Sequence, residues 1–173
     1  HLGYFAERSI TRRLEEDVLG PARARGYNEI WLVGISLGGF GSLLYTKDHP
    51  GEIAGIVALA PYLGDRKLTD EIAAAGGAEA WTPRESSGEK DFLAFWSWLK
   101  GYKHPTVEPD AGHPPLFLCI GSRDRFAKPN GLVADLLPAD HVFHVPGGHT
   151  WAAWRRGWDA FLASRYVPGT LTP

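Results

Sequence analysis

Apolar positions follow two periodicities along the chain. Phe5, Ile10, Leu14, Val18 and Leu19 recur at roughly helical spacing with charges between them. They predict a short lead and a helix within residues 2–26, kinked or ended at Gly20-Pro21 and closed by Gly26. Ile30 to Ile35 is a short apolar run of the kind that suits a buried parallel strand. After Ser36 the spacing of Leu37, Phe40, Leu43 and Leu44 turns helical, until Pro50-Gly51 stops it. Further strand runs lie at Ile53 to Ala60, Leu116 to Ile120 and His141 to Val145. Helices are expected at Ala127 to Leu137 and Trp151 to Tyr166. In the second, Trp151, Trp154, Trp158, Phe161 and Leu162 form one stripe, read as core. Alternation of helix and strand predicts an α/β fold: a mostly parallel sheet with helices on both faces, in one domain over 1–173. Residues 62–112 are too many for a simple crossover. That stretch holds Gly76-Gly77, Ser86-Ser87-Gly88 and an aromatic helix, Asp91 to Lys100, with Phe92, Phe95, Trp96 and Leu99 on one face.

Composition narrows the function classes. At 44% hydrophobic and 22% charged residues, the 173-residue chain has the balance of a soluble globular domain. A net charge of −2 with scattered basic residues asks for neither nucleic acid nor an anionic membrane. One cysteine, Cys119, allows no internal disulfide and no Cys-based zinc site, and its apolar run predicts a buried, inert thiol. No metal or other cofactor is expected, because His141 and His144 would point to opposite faces of a strand. No apolar run approaches the ~20 residues of a membrane span. The N-terminus lacks a signal-peptide pattern, so a cytoplasmic location is expected.

The chemistry concentrates at Gly34-Ile35-Ser36-Leu37-Gly38, a G-x-S-x-G pentapeptide. It follows a predicted strand at once and opens a predicted helix, the setting of a nucleophile elbow. Gly34 and Gly38 are expected to relieve crowding in the sharp turn. Gly39 and Gly41 let the helix lie close to the strands. Ser36 then sits at a helix N-terminus, where the N–H of Leu37 is placed to hold an oxyanion. A serine nucleophile needs a base and an orienting acid. His149 follows the last strand, behind Gly147-Gly148, and Asp124 follows the third. Asp65, after the second strand, is the rival acid.

With GISLGG at 34–39, GSRD at 121–124 and GGHTW at 147–151, the chain resembles the α/β-hydrolase superfamily, specifically its serine-esterase members. The resemblance spans nearly the whole sequence and has the family's chain order of nucleophile, acid and base. It implies a hydrolase that cleaves carboxylic esters or related acyl bonds through Ser36, Asp124 and His149, by way of an acyl-enzyme. It also implies a substrate pocket near Tyr62 and a cap- or lid-like insertion at about 63–112, whose Phe92, Phe95 and Trp96 line that pocket; core packing or an oligomer contact is an equal expectation for this aromatic helix. The partner is then a small ester or acyl substrate. Thioesterase, lactonase, acyltransferase and peptidase chemistry share the same triad.

One departure stands out. The family sheet normally has about four strands before the nucleophile strand, and a second oxyanion donor from a loop among them. Here 35 residues precede Ser36. His1-Leu2-Gly3-Tyr4 reads as the stub of the loop after the fourth strand, and the chain as the C-terminal part of a larger hydrolase partnered by its missing N-terminal segment. The strand at 30–35 would then be an exposed apolar edge. The competing expectation is a non-catalytic ligand- or partner-binding module on the same fold.

Overall fold

The computed structural model describes residues 9–84, 90–103 and 112–167. The expected lead and stub at the N-terminus lie outside the described residues. Ile10–Leu14, a π-helical turn Glu15–Leu19, and Gly20–Ala24 run on as one helix, α1. Of the two outcomes expected at Gly20-Pro21, a kink or an end, the helix does not end there. A proline ring clashes with the carbonyl four residues back, and the π-helical turn just upstream widens the coil at that place.

Apart from 3₁₀ turns at Lys100–Lys103 and Ala139–His141, the remaining elements are strands and α-helices. They are β1 (Trp31–Ile35), α2 (Leu37–Asp48), β2 (Gly55–Leu59), α3 (Arg66–Ala74), α4 (Lys90–Leu99), β3 (Leu116–Gly121), α5 (Ala127–Ala134), β4 (Val142–Val145) and α6 (Trp151–Leu162). The four strands pair in chain order, all parallel. β1 is an edge among the described strands, and Val33 on it is half exposed.

β2 and β3 are buried along their whole length, which is why they read as unbroken apolar runs. Their side chains alternate between two cores. Ile56, Ala58, Leu116, Leu118 and Ile120 face a large core built with α2, α3, α4 and α5. Val57, Leu59, Phe117 and Cys119 face a smaller one closed by α6. The helices thus cover both faces, as expected. The apolar faces of α3 (Leu68, Ile72) and α4 (Phe95, Trp96, Leu99) join the same core as α2 rather than forming one of their own.

The register of α6 differs from the sequence reading. The face it buries is Ala153, Gly157 and Phe161. Trp151 is 74% exposed, and Leu162 is exposed too, so neither belongs to the core. Small residues sit at the middle of the contact because the helix lies directly on β3. A Cβ at Gly157 would fall 1.9 Å from Cys119 Sγ. The tryptophans are displaced to the flanks of this close approach.

Candidate active site

β1 ends at Ile35 and α2 starts at Leu37, so the chain reverses on one residue, Ser36. Its backbone has φ 53° and ψ −115°, a region that costs a non-glycine residue of order 1–3 kcal/mol. Three hydrogen bonds hold it there. Ser36 N–H donates to Leu59 O at 3.0 Å, and Ser36 O accepts from Phe40 N–H at 3.2 Å and from Tyr62 N–H at 3.0 Å. The glycines act differently from one another. A Cβ at Gly34 would meet Gly38 O at 2.4 Å, and one at Gly39 would meet Pro61 Cβ at 2.9 Å. A Cβ at Gly38 would meet nothing within 4 Å, so its side-chain position is not the crowded one. It is the Gly38 backbone that excludes a side chain at Gly34.

The Ser36 side chain caps no backbone N–H. Its Oγ lies 2.9 Å from His149 Nε2. The other ring nitrogen, Nδ1, lies 2.9 Å from Asp124 Oδ2 and 3.1 Å from Oδ1. The Asp124 side chain is 1% exposed and that of His149 12%. Asp124 Oδ1 also accepts from Phe126 N–H at 2.8 Å, so the buried carboxylate is satisfied from two sides.

The loops after β3 and β4 are stitched together. Ser122 N–H donates to Val145 O at 2.9 Å and Arg123 N–H to Gly147 O at 2.8 Å. A Cβ at Gly121 would lie 2.8 Å from Gly147 O, so glycine there permits the approach. This joint sets Asp124 and His149 side by side across 25 residues of sequence. Asp65, the rival acid, caps α3 instead, accepting from Leu68 N–H at 2.8 Å.

Leu37 is the first residue of α2, so its N–H has no acceptor within the helix. Tyr62 and Phe92 are half-buried. Both pack on Phe40 of α2, with ring centroids 6.2 Å and 5.1 Å away. Phe95 and Trp96, expected on the pocket wall, are fully buried in the large core instead. The Trp96 indole N–H donates to Leu63 O at 2.9 Å. Their spacing put them on one face with Phe92, but that face turns into the core and only Phe92, one turn nearer the helix start, stays at its margin.

Two residues escaped the sequence reading. The Phe126 ring meets the His149 imidazole edge-on at 5.0 Å, and the Trp154 ring does so at 4.9 Å. Phe126 stands two residues after Asp124. Trp154, on the core stripe of α6, packs against the smaller core as expected, and its half-buried ring also meets the histidine. Cys119, close below, is buried, and burial with the nearby Asp124 charge pushes its thiol up to about 11. Among the described residues no cluster of three His, Cys, Asp or Glu could hold a metal ion, and no helix is long and apolar enough to cross a membrane.

The model of the "Putative esterase" family matches residues 18–163. No curated protein sequence matches. Among solved structures, a ferulic acid esterase superposes with a TM-score of 0.53 at 14% identity, covering 87% of this chain and 58% of that one. An E-2-(acetamidomethylene)succinate hydrolase gives a TM-score of 0.51 at 16% identity, covering 88% of this chain and 71% of that one. The chain thus spans little more than half the length of the first structure and about seven-tenths of the second. The family match covers most of the chain, and with the parallel sheet wrapped by helices it shows that this protein belongs to the esterase family and has the α/β-hydrolase fold.

Proposed function

We propose that the protein hydrolyses carboxylic esters with Ser36 as nucleophile, His149 as general acid–base and Asp124 as the group that orients the histidine. The observation that carries this reading is the pair of contacts through one imidazole, Ser36 Oγ to His149 Nε2 and His149 Nδ1 to Asp124 Oδ2, each 2.9 Å. In this reading His149 Nδ1–H donates to Asp124, which leaves Nε2 to accept the Ser36 proton. The strained backbone of Ser36 supports it, since strain of this kind collects at reacting residues.

Ser36 Oγ attacks the acyl carbon while His149 Nε2 takes its proton. The oxygen of the tetrahedral intermediate is held by the Leu37 N–H at the start of α2. The intermediate collapses, the alcohol leaves with the proton from His149, and an acyl-Ser36 ester remains. Water, deprotonated by His149, attacks that ester and releases the acid. Asp124 stays ionised throughout and stabilises the imidazolium. The edges of Phe126 and Trp154 keep the ring from rotating. Tyr62 and Phe92, at the margin of the core beside the elbow, favour a partly apolar substrate of small to medium size. Of the insertion, Phe92 of α4 is the side chain that bounds that pocket.

A fluorophosphonate probe tests the reading. It is expected to label Ser36, and Ser36→Ala is expected to abolish both labelling and p-nitrophenyl ester turnover. A folded protein that takes up no probe and turns over no ester would instead be a binding module.

A further inference from the structure

We infer that Asn130, on α5, is a positioning residue that locks the loop of the acid to the loop after β2, which in turn holds the backbone of the nucleophile. This inference rests on the reading of Ser36, His149 and Asp124 given above.

The Asn130 amide is 1% exposed and lies between two loops that have no sequence proximity. Its Nδ2 donates to Phe126 O at 2.7 Å and to Pro61 O at 3.1 Å. Each acceptor is one step from the reacting groups. Phe126 donates its N–H to the Asp124 carboxylate and sets its ring against His149. Pro61 packs against Gly39 of the elbow helix, and the next residue, Tyr62, donates its N–H to Ser36 O. The two hydrogens of one amide thus join the loop after β3, which carries the acid, to the loop after β2, whose Tyr62 N–H holds the nucleophile's carbonyl.

The other end of the side chain sharpens the point. Asn130 Oδ1 is buried and finds no hydrogen-bond partner among the described residues. A buried acceptor without a partner is unfavourable, so the amide's presence is not explained by filling space in the core. What it offers there, and an apolar residue of similar size would not, is a pair of donors aimed at two carbonyls. An aspartate has the same shape but no such donors, and it would set a negative charge against both carbonyl oxygens. The geometry at stake is fine: a displacement of about 1 Å between reacting groups costs on the order of 100-fold in rate.

Asn130→Asp and Asn130→Ser separate this role from a purely structural one. Activity on a p-nitrophenyl ester is measured per folded molecule, alongside the far-downfield proton NMR signal of the His149 Nδ1–H. The expected result is a fall in kcat of roughly 10- to 100-fold with KM little changed, and loss or movement of the downfield signal. Thr46→Val is the control. Thr46 is equally buried on α2, and its hydroxyl donates to Ser42 O; its loss is expected to lower thermal stability and leave kcat unchanged. Asn130 variants that keep wild-type kcat and the wild-type NMR signal, or two variants that both fail to fold, overturn the inference. Failure of Ser36→Ala to abolish turnover would overturn the underlying reading instead, whatever Asn130 does.

Discussion

Replacing Gly157 with alanine places a methyl group where α6 rests on β3. The new Cβ would sit 1.9 Å from Cys119 Sγ, 2.7 Å from Cys119 Cβ and 3.5 Å from Leu59 Cδ2. Rotating the thiol away removes the first overlap and leaves the second, which is still closer than two carbons approach without repulsion. The helix must therefore lift, or β3 must give. Alanine is the better helix former by about 1 kcal/mol, so helix propensity alone predicts stabilisation. Overpacking of a fitted core costs about 1–3 kcal/mol, and this site belongs at the upper end because both partners are backbone-proximal. The net expectation is a loss of about 2 kcal/mol, or roughly 4–8 °C in Tm for a chain of this size. Since α6 begins two residues after His149, ester turnover should fall as well. Cys119→Ala removes the thiol but not its Cβ, so in the double variant it should restore part of the loss, with a coupling energy on the order of 1 kcal/mol. Urea unfolding of the four proteins gives the cycle directly. A stabilised Gly157→Ala, or strictly additive effects, would refute the account of how α6 seats on the sheet.

The catalytic acid, a surface carboxylate cluster and the buried thiol each carry a further expectation. Asp124→Asn should lower kcat by about 10⁴-fold, while Asp65→Ala should cost about 1 kcal/mol of stability through the lost helix cap and leave turnover intact; steady-state kinetics and thermal unfolding of the two variants check both. Hydrogen bonds from Tyr45 and Arg23 hold the Glu15 carboxyl below its ordinary value of 4.5. That contribution to stability is complete above about pH 4.5 and is lost as pH falls through the lower folded value. Tyr45→Phe should therefore flatten the fall in unfolding midpoint below pH 4.5, measured in urea across pH 3–7. The Cys119 thiol, pushed up to about 11 by burial, should resist maleimide at neutral pH in the folded protein and react once urea unfolds it.

Much of the sheet was legible because β2 and β3 are buried on both faces and leave unbroken apolar runs. The strand ends were legible for a different reason: Gly34, Asp124 and His149 are of types that the turn and its chemistry need, in the order one topology allows. Other features depend on which neighbour a residue meets. α3 went unseen although Asp65 caps it and Leu68 and Ile72 share its buried face, because the stretch from 62 to 112 was read as a single insertion. The stripe of α6 was visible, but periodicity does not say that the middle of the contact needs Gly157 and Ala153, which leaves Trp151 outside. The spacing of Phe95 and Trp96 suits a pocket wall and a core equally, and only the packing of α4 on α2 shows their face turned inward. The roles of Phe126 and Asn130 arise from loops joined across the sheet, which no local pattern records.

The central claim is that acyl transfer passes through Ser36. Rapid quench of the protein with excess p-nitrophenyl ester, followed by peptide mass mapping, tests it directly. The account predicts a transient gain of one acyl group on the peptide that contains Ser36, absent in Ser36→Ala. Turnover with no covalent adduct, or with the acyl group on another residue, would contradict it.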